Sequence, residues 1–325
     1  MKYTVLILIL SIFLNNQARS QNMISGGDFK DTDGNQINAH GAGLLYYNEV
    51  YYLFGEIKKG KTWLVSGQSW EDYRVPAGGV SCYSSTDLKH WKNLGTALRS
   101  VTGDQSNDLD TGRVIERPKV LYNEKTKKFV MWFHSDRNDY QDSKAGIAIS
   151  DSPKGPYTYL GSIKPNNQML RDMTLFKDTD GKAYVIYSSE NNNTMHVCQL
   201  TDDYLKPTEH YTRILIDRNR ESPALFKNND KYFLITSGCS GWSPNAASYA
   251  TADSIMGPWT EIGNPCIGAN AEQTFFAQGN YVLPVNGKPS NFIFMGDLWN
   301  KLDLEKSGYL WIPFEVINGE VKINN

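Results

Sequence analysis

The sequence predicts an all-β fold, a five-bladed β-propeller, on three observations. A short apolar segment, a loop, a strand rich in Tyr and Phe and a Ser/Thr-Asp turn recur at roughly 50-residue spacing, the period of repeat architectures whose units cannot bury their apolar faces alone. β-Branched and aromatic residues run between turn signals, as in Tyr184-Val185-Ile186-Tyr187 after Asp178-Thr179-Asp180-Gly181, and in Lys231-Tyr232-Phe233-Leu234-Ile235 after Asn228-Asn229-Asp230. No stretch sustains a helical period for long, and each unit accommodates the four strands of a propeller blade. Kelch repeats have a similar period, but their paired glycines are missing from these units.

The opening segments follow in order: GAGLLYYNEVYYLFGE from Gly41, RPKVLYNEKTKKFVMWF from Arg117, MTLFKDTDGKAYVIYSSE from Met173, SPALFKNNDKYFLITSG from Ser222 and TFFAQGNYVLPV from Thr274. A turn closes the first unit at Ser85-Thr86-Asp87, the second at Ser150-Asp151-Ser152 and the fourth at Thr251-Ala252-Asp253, with a degenerate Thr201-Asp202-Asp203 in the third. Asp and Ser bond their own backbone two residues on, and the Gly-Pro pairs that follow in the second and fourth units fix the entry to the next strand. The chain after Trp311 is expected to close the ring against strands near the mature N-terminus. The first unit also carries an insertion, residues 58–79, with Trp63, Trp70 and Tyr73. Loops of that length in a compact fold are commonly lids or binding walls.

One domain is expected over residues 21–325, because closed all-β folds run long as single units. A net charge of -2 and a pI near 6.2 give no electrostatic footprint for nucleic acid or an anionic membrane. Aromatics make up 12% of the chain, which suits both β-strand edges and stacking on sugar rings. Residues 1–20 read as a signal peptide, with Lys2, an apolar run over 5–14 too short to span a bilayer, and Ala18-Arg19-Ser20 as cleavage site. Export to a periplasm or beyond is the expectation. Cys82 and Cys198 lie in strand-like runs and read as buried thiols, whereas Cys239 and Cys266 flank the fourth repeat and are the better disulfide candidates.

In a propeller the innermost strands line a central channel, so residues just before them gather at one mouth. Glu116, Asp172, Glu221 and Gln273 occupy that place in the last four units. Carboxyl groups sharing a pocket cannot all ionise cheaply, so one is expected to keep its proton at neutral pH. A poised acid beside ionised partners suits glycosidic cleavage, where the leaving oxygen is protonated on one side and water is directed from the other. The bland alternative is that all four merely cap strand starts, which repetition in register argues against.

These residues carry a resemblance. With Glu221-Ser222-Pro223 and Asp172-Met173 opening their blades, the chain is similar to family 43 glycoside hydrolases. Ile37-Asn38-Ala39-His40-Gly41-Ala42-Gly43, Tyr51-Tyr52-Leu53-Phe54-Gly55-Glu56 and Glu116-Arg117-Pro118-Lys119-Val120 resemble its exo-β-1,3-galactanase branch, and the similarity covers essentially the whole mature chain. The resemblance implies that Glu221 is the general acid and that Asp172 orients it and adjusts its pKa. The family's usual base, an Asp in an Asp-Pro pair of the first blade, is missing here. In the galactanase branch a Gln matching Gln273 and a Glu matching Glu116 stand near the attacking water instead.

His40 sits where a base is expected, yet a lone His on an inner strand is more commonly a packed, hydrogen-bonded residue. The five His are scattered without ligand spacing, so no metal and no cofactor are expected. For substrate contacts the reading selects Glu56, Tyr140, Glu190, Ser240, Trp242 and Trp299, with Trp242 the preferred stacking platform. The expected partner is β-1,3-galactan or arabinogalactan, acted on with inversion by a monomer. An arabinofuranosidase or xylosidase of the same family, and a catalytically silent carbohydrate-binding propeller, are the competing readings.

Overall fold

The computed structural model describes residues 24–26 and 28–325. The signal-peptide reading of residues 1–20 falls outside the described residues. Five antiparallel sheets form the blades of a propeller. Blade 1 holds His40–Tyr47, Val50–Lys58, Ala77–Ser85 and Lys92–Arg99, and blade 2 holds Val114–Asn123, Lys128–Asp136, Lys144–Ser150 and Thr158–Ile163. Blade 3 holds Met173–Lys177, Ala183–Ser189, Thr194–Leu200 and Pro207–Ile214, and blade 4 holds Arg220–Asn228, Lys231–Gly238, Ser248–Ala252 and Thr260–Gly263. Blade 5 is made of Gln278–Pro284, Asn291–Leu298 and Gly308–Ile317, completed by Ile24–Gly26 from the other end of the chain, with Ile24 opposite Trp311. Sharing one sheet between the two chain ends closes the ring. No described helix is long and apolar enough to cross a membrane.

The apolar core is divided among the blade interfaces. Val130 and Trp132 of blade 2 pack with Val185 and Tyr187 of blade 3, and Phe226 and Phe233 of blade 4 with Phe292 and Phe314 of blade 5. Leu44 and Leu53 of blade 1 meet Met295 and Trp311 of blade 5 at the closure. Each blade therefore buries both faces only when its neighbours are present. Trp91, from the first Ser/Thr-Asp turn, is fully buried with its ring 5.9 Å from Trp311. Truncating it to Ala should cost about 3–5 kcal/mol, the range for a large core aromatic.

Four of the five inner strands share a feature that serves the site. Their pairing register breaks between His40 and Gly43, Glu116 and Lys119, Glu221 and Ala224, and Gly279 and Tyr281. Such bulges bend the strand and re-aim a side chain. In the first three the next residue, Gly41, Arg117 or Ser222, has φ of 55, 56 and 55°. For Gly41 that conformation has little steric cost, and a Cβ there would come within 2.5 Å of Glu56 Oε1.

The fifth unit corrects the reading of where its strand starts. Ala271–Phe276 forms a tight 3-10 stretch in which Thr274, Phe275 and Phe276 have φ of 48, 55 and 68°, and the inner strand begins at Gln278. The insertion of blade 1 folds into a short hairpin, Trp63–Leu64 paired with Tyr73–Arg74. It is tied to blade 5 by Gly60 N–H to Glu305 Oε2 at 2.8 Å and to the loop of blade 2 by Gln68 Nε2 to the Asp139 carbonyl at 3.2 Å.

Candidate active site

Where the inner strands converge lies an open pocket lined by Glu56, Glu116, Arg117, Tyr140, Asp172, Glu221, Gln278 and three tryptophans, Trp70, Trp242 and Trp299. Glu116 and Glu221 reach it from the bulges of blades 2 and 4. Asp172 enters just ahead of the inner strand of blade 3. Glu56 comes from the second strand of blade 1, opposite His40 in register.

Glu221 is held at both oxygens by amides. Gln278 Nε2 donates to Oε1 and Asn192 Nδ2 to Oε2, each at 3.0 Å. Burial, and then the negative charge of Asp172, push its carboxyl up to about 8 against the pull of Arg117. Glu221 thus carries a proton at neutral pH. Arg117 bridges the site, its Nη2 lying 2.6 Å from Gln278 Oε1 and 2.9 Å from Asp172 Oδ2.

Glu116 is in the opposite state. Burial alone would raise its pKa, but His134, Lys58 and Arg74 together hold the carboxyl far below the usual carboxylate range. Tyr140 donates its hydroxyl to the two oxygens at 3.0 and 2.9 Å, while His134 Nδ1 lies at 3.4 Å and Lys58 Nζ at 4.0 Å. His134 opposes its own burial by pairing with Asp136 and Glu116, which lifts it to about 9 and keeps it cationic. Lys58 also pairs with Glu56 at 2.7 Å and lies 5.5 Å from the ring centres of Trp242 and Trp299.

Three of the sequence-predicted residues, Gln273, Glu190 and Ser240, stand differently from their expected roles. Gln273 is exposed on the 3-10 stretch and does not line the pocket; Gln278, five positions on, takes the equivalent place in blade 5. Glu190 is turned outward, where Arg213 grips it at 2.6 and 2.7 Å, His196 adds a contact at 3.0 Å, and the Arg213 hydrogen bonds draw its pKa down to about 2. The cause is a run of left-handed residues, Glu190, Asn191 and Asn192, at φ of 52, 57 and 66°, which swings Glu190 out and brings Asn192 to the acid. Ser240 lines no part of the pocket; it accepts from Asn245 and donates to the Ser243 carbonyl, both at 2.6 Å, shaping the turn that presents Gly241 and Trp242. Trp299 lines the pocket, and its indole N–H goes to Gln278 Oε1 at 2.9 Å.

Trp242 packs edge-on against Trp299 at 5.0 Å, and its own indole N–H has no protein partner. Glu56 and Tyr140 lie in the pocket. His40 is buried, bonded to Asp297 at 3.0 Å and stacked on Tyr309 at 4.8 Å. The disulfide expectation is also corrected, because all four cysteines are free. Cys266 is buried between blades 4 and 5, whereas Cys239 is exposed beside Glu221. Glu116, His134 and Asp172 bring ligand atoms within 4.8 Å of one another. Tyr140, Asp136 and Arg117 already engage them and the surrounding charge is cationic, so the trio is an ion-pair cluster and no metal is assigned to it.

Sequence reading missed Gln278, Asn192, Arg117 and Lys58, whereas Trp70, named with the blade 1 insertion, does line the pocket. Gln278 could have been found from the alternation of Gln278-Gly279-Asn280-Tyr281-Val282, and Arg117 from its place directly after Glu116. Asn192 had no signal beyond a turn-like run of three asparagines.

A protonated carboxyl and an ionised one, set around one aromatic-lined pocket at the centre of a five-bladed propeller, define a glycosidase-type site. The chain belongs to glycoside hydrolase family 43, whose family description, Glycosyl hydrolases family 43, matches residues 44–283. A solved GH43 β-1,3-galactosidase is similar at 40% identity over 94% of this chain and 63% of its own, with a TM-score of 0.85. An exo-β-1,3-galactanase from Phanerochaete chrysosporium is 36% identical over 93% of this chain and 66% of its own, with a TM-score of 0.82. A curated β-D-galactofuranosidase from Aspergillus niger is 28% identical over 142 residues, 38% of this chain and 41% of that protein. The chain thus spans less than two thirds of each of these relatives.

Proposed function

We propose that the chain is an exported, exo-acting galactosidase that works as a monomer and releases terminal β-1,3-linked galactose from galactan or arabinogalactan with inversion. The observation that carries this reading is the setting of two carboxyls around one pocket, Glu221 between the amides of Gln278 and Asn192 and Glu116 among Tyr140, His134 and Lys58. The similarity to β-1,3-galactosidases supports the choice of sugar and linkage.

Glu221 gives its proton to the glycosidic oxygen as the bond to the anomeric carbon breaks. The carboxylate it becomes is stabilised by the amide donors of Gln278 and Asn192. Glu116 is too weak a base to pull a proton from water in advance. Its charge instead favours the oxocarbenium-like centre and orients the water, whose proton it takes once the new C–O bond has made that proton acidic. Asp172, fixed by Arg117, keeps Glu221 protonated beforehand. Trp70 reaches from the blade 1 hairpin to blade 4, where a Cβ on Gly241 would come within 3.2 Å of its ring. That wall supports attack at a chain end.

The test is incubation of purified protein with β-1,3-galactan, followed by NMR. Galactose appearing first as the α-anomer is expected, with little release from aryl arabinofuranosides or xylosides. Initial β-galactose would overturn inversion, and no sugar release would favour a carbohydrate-binding role.

A further inference from the structure

The blade 1 insertion does more than wall the pocket. Arg74, on its second strand, is 5% exposed, and its guanidinium carbon lies 4.0 Å from the centre of the Tyr140 ring and 5.6 Å from that of Trp70. Asp72, with no exposed surface, pairs with Arg74 at 2.5 Å. Tyr140 in turn aims its hydroxyl at both oxygens of Glu116. Its backbone has φ of 55°, a conformation costly for a bulky residue, so the ring needs outside support to stay in that place. Arg171 adds a weaker contact at 5.9 Å from the ring.

We infer that Arg74 is a positioning residue, a charged pillar that Asp72 fixes and that holds Tyr140 against Glu116. This rests on the reading of Glu116 as the carboxylate that orients water. The planar guanidinium suits the aromatic face, and its positive charge lowers Glu116. The other charges facing Glu116 are Lys58, Glu56 and Asp72 from blade 1, His134 and Arg117 from blade 2, and Asp172 from blade 3. Two cations both touch the Tyr140 ring and lower Glu116: His134, whose ring lies 5.6 Å from that of Tyr140, and Arg74, which makes the nearer contact at 4.0 Å and comes from the insertion.

The experiment follows the Glu116 carboxyl by ¹³C NMR in protein labelled at glutamate, with the resonance assigned by its loss in Glu116→Gln. In Arg74→Met the titration should move to higher pH and kcat on β-1,3-galactan should fall about tenfold or more. Arg74→Lys should restore the titration while recovering only part of kcat, since an ammonium lacks the planar face. In a Tyr140→Phe background, Arg74→Met should cost much less than in the parent. If Arg74→Met fails to fold, as judged by thermal melting, Arg74→Gln, which removes the charge but keeps a polar head for Asp72, gives the same readout. An unmoved Glu116 titration with kcat within twofold of the parent overturns the assignment. High residual activity in Glu116→Gln would instead overturn the role given to Glu116, and the NMR titration would still decide whether Arg74 acts on that carboxyl.

Discussion

Gln278 Nε2 donates to Glu221 Oε1 at 3.0 Å, while Gln278 Oε1 receives N–H groups from both Arg117 and Trp299. Arg and Trp side chains only donate, so the amide can face only one way. Its second N–H goes to Ser237 Oγ at 3.1 Å. Every hydrogen bond of the amide thus serves to hold the acid, and Gln278 is a donor to Glu221 with no lone pair left over for a water.

Removing that amide frees one oxygen of Glu221 and leaves Arg117 and Trp299 without their shared acceptor. Gln278→Ala should therefore lower kcat on β-1,3-galactan roughly 10²–10³-fold, comparable to deleting one preorganised donor in other active sites. Gln273→Ala should stay within about twofold of the parent, because an exposed residue away from the pocket touches none of this machinery. Initial-rate assays of the two variants side by side check the assignment, and a severe loss in Gln273→Ala would contradict it.

Glu221 itself should show the signature of a general acid. Glu221→Gln keeps the shape but has no proton to give, and kcat should drop about 10²–10⁴-fold. Galactan binding measured by calorimetry should persist. Activity within tenfold of the parent would remove Glu221 from the role.

The charge of Asp172 keeps the Glu221 proton in place. A nearby anion disfavours ionisation, so Asp172→Asn should lower the Glu221 pKa from about 8. The protonated form is then lost at lower pH, and the alkaline limb of kcat should move down. Losing the anion also leaves Arg117 uncompensated, which acts in the same direction. A pH–rate profile with an unmoved alkaline limb, in a variant that melts like the parent, would make Asp172 purely structural.

The fold was readable because each blade repeats the same alternation and turn, and the registration of Glu116, Asp172 and Glu221 came with it. The fifth unit misled because Thr274-Phe275-Phe276 has strand composition but a left-handed backbone, held by tertiary contacts such as the Thr274 hydroxyl to the Asn245 carbonyl at 2.7 Å. Composition cannot show that conformation, and the five-residue slip from Gln273 to Gln278 follows from it. Glu190 was misplaced for a related reason. A strand ending in Ser188-Ser189-Glu190 suggests an extended side chain facing the pocket, whereas three successive positive φ angles reverse the outcome. Arg74 was illegible because its role depends on where a hairpin folds back, and Lys58, at the end of the second strand of blade 1, because its ion pairs with Glu56 and Glu116 depend on two blades meeting; no local pattern encodes either.

Asn192 supplies the last test, with a sign opposite to that of Asp172. Its amide donates to Glu221 Oε2 at 3.0 Å and is itself oriented by the Ser188 hydroxyl, which donates to Asn192 Oδ1 at 3.0 Å. A donor to a carboxylate favours the ionised form, so Asn192→Ala should raise the pKa of Glu221 and move the alkaline limb of kcat up. A hydrogen bond to a charged group is worth about 1.5–3 kcal/mol, which corresponds to a shift of roughly one to two pH units. Below the limb kcat should also fall, because the carboxylate left after proton transfer has lost one of its two amide donors. The double variant Asp172→Asn/Asn192→Ala should bring the limb back toward the parent, since the two changes pull the same carboxyl in opposite directions. An Asn192→Ala limb that moves down, or does not move while kcat falls, would mean that the Asn192 amide does not act on the protonation of Glu221.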